Sequence, residues 1–225
     1  MLDYVDYEQV KTSSNYEFSV ATNIVQNNHA VKKQAYTFMN EFEGFCQKEK
    51  ASLMIDLIVR IKPLKIVEVG VPGKSLVAMA CALKENGKGV IYGIDSLDSM
   101  NLGESKQGVN RNLWNFFRSD TVLKGLQAKF TKFGLQNHIQ LVQTTSENAS
   151  PISEIDILHL NGNHTEQSSL SEVKKWVPFM KKNGVIIFND VNRTTTKMAT
   201  RYLDQHCIKF KEFKGDVVWG IWVKR

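Results

Sequence analysis

Three stretches of this 225-residue chain carry residue types whose spacing could do chemistry. The first is Lys65-Ile-Val-Glu-Val-Gly-Val-Pro-Gly-Lys-Ser75, which runs into an apolar segment over 76–83. Ile66, Val67 and Val69 suit a buried strand, Gly70 and Gly73 relieve crowding at a turn, and a helix follows. Such a turn sets free backbone N–H groups and a positive helix end beside a ligand, which suits a nucleotide-like cofactor. The second stretch is Gly89-Val-Ile-Tyr-Gly-Ile-Asp95 with Ser96 after it. A carboxylate at a strand end accepts hydrogen bonds from both hydroxyls of a ribose. Glu68 lies near the end of the first strand, and Thr144, Thr145 and Ser146 follow a third, where small hydroxyl groups could meet an adenine edge. The third stretch is split between two strand ends, Asn161-Gly-Asn-His164 and Asn189-Asp190. The neutral imidazole of His164 suits proton abstraction near pH 7, and Asp190 is the one charge among its partners.

Each feature has a plainer reading that stays open. Asp95 could cap a helix or turn, and the Gly70–Gly73 turn could be an ordinary strand-to-helix connection. His164 could be a strand-end histidine bonded to a neighbouring carboxylate. The sequence also touches two other phosphate-binding patterns. The G-x-G-x-x-G dinucleotide fingerprint is absent. Gly73-Lys74-Ser75 ends like a P-loop, and Val185-Ile-Ile-Phe-Asn-Asp190 loosely resembles the metal-binding strand of such NTPases. The P-loop glycine five residues earlier is Glu68, however, and an acidic residue there would face phosphate unfavourably.

The elements that must position these residues alternate along the chain. Strands are expected at 66–69, 89–95, 139–143, 155–160 and 184–188, with helices at 75–85, 121–133, 168–182 and 194–207. Two last strands near 208–213 and 217–223 are close enough for an antiparallel hairpin. The pattern predicts an α/β fold: a mostly parallel, seven-stranded sheet with an antiparallel C-terminal hairpin edge and helices on both faces, a Rossmann-like three-layer sandwich. Residues 1–30 read as a polar arm. From about Ala35 to Arg60 the pattern is helical, with Phe38, Phe42 and Phe45 on one face, until Pro63 ends it. The connection over 96–118 holds Met100, Arg111, Trp114, Phe116, Phe117 and Arg118 and could form a lid or simply pack a short helix. His159 alternates into a strand interior and reads as structural, and Asp156 as a strand start or turn cap.

Taken in order, Val67-Glu-Val-Gly70 with Gly73 and Ser75, Tyr92-Gly-Ile-Asp95, Ile155-Asp-Ile-Leu-His-Leu-Asn-Gly-Asn-His164, Trp176, Asn183-Gly-Val-Ile-Ile-Phe-Asn-Asp190 and Trp219-Gly-Ile-Trp-Val-Lys224 make a pattern. It resembles the class I S-adenosylmethionine-dependent methyltransferases over about residues 50–225. More narrowly, it resembles the small-molecule O-methyltransferases that include enzymes acting on sugars of antibiotics and polysaccharides. Together with the polar start and the chain length, this gives an N-terminal arm and helix over 1–50 and a methyltransferase-like domain over 51–225, a single globular unit overall. The resemblance implies S-adenosylmethionine as cofactor, held by Glu68, Gly70, Gly73, Ser75, Asp95, Ser96, Thr145, Ser146 and Asn161. It implies methyl transfer to a hydroxyl, with His164 as base and Asp190 beside it. In metal-dependent relatives magnesium sits where Asn161, Asn189 and Asp190 stand here. Relatives usually have three residues between the first two glycines of the turn, and Val71-Pro72 leaves two. Magnesium prefers carboxylates, so two asparagines leave at best a weak site. Metal-free catalysis by His164 with Asp190, weak metal binding with substrate, and a cofactor-binding relative that has lost turnover for a regulatory or interaction role all stay open.

Composition narrows the class further. The formal net charge is +6, yet the basic residues are dispersed. Lys209, Lys211 and Lys214 alternate with Phe210 and Phe213 as a late strand would, so nucleic acid is not an expected partner. Cys46, Cys81 and Cys207 are too few and too widely spaced for a disulfide framework or a zinc site. With no apolar run of membrane-spanning length and an acidic start unlike a signal peptide, the expected setting is the cytoplasm. The expected partner is a small-molecule acceptor, and a homo-oligomer is compatible with the sequence.

Overall fold

The apolar runs fold into strands that pack between two helical layers. The computed structural model describes residues 28–42, 44, 46–70, 73–96, 120–215 and 217–225. The expected connection over 96–118 therefore lies, from residue 97 onward, outside the described residues, as do Phe45, Val71 and Pro72. In chain order the elements are α1 (His29–Met39), α2 (Lys48–Ile61), β1 (Lys65–Val69), α3 (Lys74–Glu85), β2 (Val90–Asp95), α4 (Asp120–Lys132), β3 (Ile139–Gln143), β4 (Ile155–Leu160), α5 (Glu166–Trp176), β5 (Met180–Asn189), α6 (Lys197–His206), β6 (Cys207–Phe213) and β7 (Trp219–Lys224).

The seven strands run in the order β3-β2-β1-β4-β5-β7-β6. The first five are parallel, and β7 pairs antiparallel with both β5 and β6. Alternate strand residues feed two cores. Ile66, Ile157 and Ile187 face one core with α1 to α4, whereas Val67, Leu158 and Ile186 face the other with α5 and α6. α3 is buried from Ser75 to Leu83. A helix apolar all round needs cover on every side, and α3 has the sheet on one side and α1 and α2 on the other.

The chain steps from β1 outward to β2 and β3, then returns to β4 on the opposite side of β1. This reversal opens the crevice where α/β sheets bind ligands, at the carboxyl ends of β1 and β4. The two strands leave that edge in close contact. Asn161 N–H donates to Val69 O at 2.8 Å, and a Cβ on Gly70 would lie 2.1 Å from Asn161 O. Gly70 also has φ +108°, so only glycine fits there. At the opposite end of the sheet Asp156 ties strands together. It accepts from the backbone N–H groups of Leu64 and Lys65 at 2.8 and 2.9 Å and pairs with Lys181 at 2.7 Å.

Several elements differ from their expected bounds, among them the helix expected at 194–207, which is a 3-10 turn over Thr194–Thr196 and then α6. The helical region over 35–60 is two helices, α1 starting at His29, separated by residues 40–47. That break lets Phe38 stack on Phe133 at 4.1 Å and Phe42 on Phe130 at 5.6 Å. The helix expected to reach residue 182 stops at Trp176, because Pro178 cannot continue it. A single 3-10 turn follows, and Lys181 and Lys182 belong to β5, where Asn183 has φ 65° and the pairing with β4 shifts register. In β6, Phe210 and Phe213 are three apart yet both pack on the first core. The register shift between Lys209 and Lys211 makes this possible.

Candidate functional site

Glu68, His159 and Asn189 share one face at the carboxyl edge of the sheet. Glu68 is in register with His159, and His159 with Ile187, two residues before Asn189. All three side chains are buried. Polar groups at such depth need partners, and they find them in one another and in a residue the sequence did not single out, Lys50 in the first turn of α2.

Lys50 is only 6% exposed, so its charge is held inside the protein. Its Nζ lies 2.8 Å from His159 Nε2 and also donates to Asn189 Oδ1. It sits 5.5 Å from the ring centre of Trp219, a cation–π contact. An ammonium offers only donors, so His159 Nε2 is the acceptor nitrogen and Nδ1 carries the proton. Nδ1 donates to Glu68 Oε1 at 2.9 Å, and Ser75 Oγ donates to the same oxygen at 2.5 Å. At the other end Asn189 Nδ2 donates to Asn161 Oδ1 at 2.5 Å. A continuous chain therefore runs Ser75–Glu68–His159–Lys50–Asn189–Asn161, crossing from the glycine turn to the ends of β4 and β5.

Burial is the main electrostatic force in this chain. It pushes Lys50 down from 10.5 to about 8 against the pull of Cys46, Glu68 and Asp190, leaving an ammonium at neutral pH. Burial, then the Lys50 charge, lowers His159, which stays neutral despite its bond to Glu68. Glu68 Oε2 is buried with no hydrogen-bond partner.

A second cluster stands beside the first. His164 Nε2 lies 3.0 Å from Asp190 Oδ2, and Arg193 Nε lies 3.0 Å from Asp190 Oδ1. Asp190 has φ 54°, and its carbonyl accepts from Thr196 Oγ1 at 2.8 Å. Burial alone would raise the Asp190 carboxyl. The bond to His164 and the charges of His164 and Arg193 outweigh it and hold the group below 3.8. Asp190 is thus an acceptor that fixes the proton of His164 on Nε2, and in the neutral imidazole Nδ1 holds the lone pair. His164 comes just before Thr165, which caps α5 by accepting from Ser168 N–H.

The remaining candidates line the same edge of the sheet. Asp95 and Ser96 are half-buried at the end of β2, next to β1. Thr145 Oγ1 accepts from Asn148 N–H at 3.3 Å, and Ser146 Oγ accepts from Trp176 Nε1 at 2.8 Å. Gly73 is buried immediately before α3. The structure thus joins Glu68, Ser75, Asn161 and Asn189 in one network and His164 with Asp190 in another. Ser146 is engaged with Trp176 of α5.

Two groups can be tested against these residues. A cofactor bearing an ammonium group fits: Glu68 Oε2 is a buried acceptor lacking a donor, beside a turn whose crowding admits only glycine at position 70. A divalent metal does not fit. Asn161 Oδ1 accepts from the Asn189 amide, Asn189 Oδ1 accepts from Lys50, and both Asp190 oxygens are paired. Among the described residues no three His, Cys, Asp or Glu side chains gather as a metal site.

A family described as a methyltransferase domain matches residues 67–191, more than half of the chain. Among curated proteins none matches in sequence. Solved structures share the fold at low identity. A SAM-dependent O-methyltransferase from Thermotoga maritima is 12% identical with a TM-score of 0.61, over 85% of this chain and 71% of that one. An O-methyltransferase from Bacillus cereus in complex with SAH is 10% identical with a TM-score of 0.58, over 92% and 94%. TomG from Streptomyces achromogenes, an O-methyltransferase of tomaymycin synthesis in complex with SAM, is 11% identical with a TM-score of 0.57, over 92% and 93%. No helix among the described residues is long and apolar enough to cross a membrane.

Proposed function

The chain belongs to the methyltransferase-domain family and has the fold of S-adenosylmethionine-dependent O-methyltransferases, and on that premise we propose that it methylates a hydroxyl of a small acceptor, a sugar in particular. The cofactor supplies an electrophilic methyl group when bound. Glu68 and the Gly70–Gly73 turn hold its methionine part, and Asp95 accepts from its ribose hydroxyls. Ser96 and Thr145 line the adenosine side. Ser75 and Asn161 act through the buried network, Ser75 by fixing the rotamer of Glu68.

The observation that carries the reading is the His164–Asp190 pair at 3.0 Å beside the crevice between β1 and β4. The acceptor hydroxyl donates to His164 Nδ1, which takes the proton as the methyl group is transferred. Asp190 holds the ring in the required tautomer and stabilises the imidazolium that forms. Arg193 keeps Asp190 ionised and in place.

The test is transfer of labelled methyl from S-adenosylmethionine to a panel of sugars and other hydroxylated acceptors, with excess chelator present. Turnover that His164→Ala reduces by at least roughly 100-fold supports the reading. Cofactor binding with no acceptor methylated would favour a non-catalytic, cofactor-binding protein with a regulatory or interaction role.

A further inference from the structure

We infer that Lys50 is a built-in cation whose ammonium replaces a divalent metal at the ends of β4 and β5, making the site metal-independent. The inference deepens the methyl-transfer reading and rests on it for the role of the site; the geometry stands apart from turnover. The resemblance places metal ligands at Asn161, Asn189 and Asp190. Here Asn189 turns its oxygen to Lys50 Nζ and its amide to Asn161 Oδ1. Both asparagines are thereby oriented by a side chain entering from α2, outside the segment that matches the family.

The chemistry of this donor set favours an ammonium over a dication. An ammonium donates hydrogen bonds, and the groups around it accept them: Asn189 Oδ1, the lone pair of His159 Nε2 and the face of Trp219. A magnesium or manganese ion needs several oxygen ligands, usually with carboxylates among them. It would also meet the ammonium at short range in a poorly screened interior. One positive charge excludes the other. The neutral asparagines then have a reason: a carboxylate at either position would pair with Lys50 and collapse the amide pair.

The test is manganese binding followed by electron paramagnetic resonance, with no substrate and no turnover required. The chains compared are the native protein, Asn161→Asp with Asn189→Asp, and the same double variant with Lys50→Met. The native protein and the double variant should leave manganese free, whereas the triple variant should bind it at least roughly 100-fold more tightly. Tight manganese binding by the native chain would overturn the inference. So would equal binding by the double and triple variants, whether tight or absent. If near-ultraviolet circular dichroism shows that the triple variant does not fold, the double variant decides: free manganese upholds the inference and tight binding overturns it. Absence of methyl transfer with this metal pattern intact would sink the proposed activity and leave the cation in place.

Discussion

Gly70→Ala is the perturbation that most directly probes how β1 and β4 meet at the crevice. Two costs arise together. The backbone at φ +108° is one that an alanine rarely adopts, worth about 1–3 kcal/mol. The new Cβ would also lie 2.1 Å from Asn161 O, 2.4 Å from its carbonyl carbon and 2.6 Å from Gly162 N. All three are backbone atoms, so no side-chain rotation relieves the clash. The strands must part, weakening the Asn161 N–H bond to Val69 O, at a further cost of about 1–3 kcal/mol. Gly87→Ala is the internal control. It has φ +67° and open space around its Cβ, so it carries backbone strain alone, about 1 kcal/mol. Urea unfolding of the two variants therefore separates strain from contact. Gly70→Ala should be less stable than Gly87→Ala by about 2 kcal/mol or more, and should lose cofactor affinity where Gly87→Ala keeps it. Equal stabilities, with cofactor affinity unchanged in both, would refute the close approach of β1 and β4.

Further predictions concern the charges. Lys50 has a folded pKa of about 8 against 10.5, so between those values the unfolded chain binds more protons and stability rises with pH; the penalty is full below pH 8 and gone above 10.5. Relative to Lys50→Met, native stability should gain about 3 kcal/mol across that window in urea unfolding, with His159, Glu68, Cys46 and Asp190 common to both chains; a flat difference would contradict it. Asp190→Asn should lower turnover by roughly 100-fold or more with little change in cofactor affinity, since it acts through the His164 ring; a change confined to the acceptor KM would argue against that role. Asp156→Ala removes the acceptor for two backbone N–H groups and the partner of Lys181, and should cost about 2–3 kcal/mol in thermal or urea unfolding; its distance from the crevice predicts unchanged cofactor binding.

Much of the fold was legible because the central parallel strands β1, β4 and β5 are apolar runs with cover on both faces. Ile66-Val67 and Val185-Ile186-Ile187 announce themselves in this way. β5 is longer than the 184–188 expected because, after Met180, it carries Lys181, Lys182 and Asn183, polar residues at the open end of the sheet that continue a helical pattern in the sequence. Pro178 was the signal that could have stopped the helix. In the site, strand parity placed His159 inside, but parity names no partner. Lys50 was invisible for a different reason. Between Glu49 and Ala51 on an amphipathic helix it reads as a solvent-facing lysine. Only the docking of α2 beneath Trp219 shows that its charge is buried. The neutral Asn161 and Asn189 stand out in the sequence where the resemblance implies metal ligands, and the ammonium that joins them comes from 111 residues before Asn161 and 139 before Asn189.

The edge built from Glu68, Gly70, Gly73 and Asp95 is proposed to bind S-adenosylmethionine. Isothermal calorimetry with S-adenosylmethionine and with its demethylated product, each with and without magnesium, tests it directly. Both forms should bind one-to-one, unchanged by magnesium and weakened at least roughly tenfold by Asp95→Ala. No heat of binding for either form from the folded native chain would contradict the proposal.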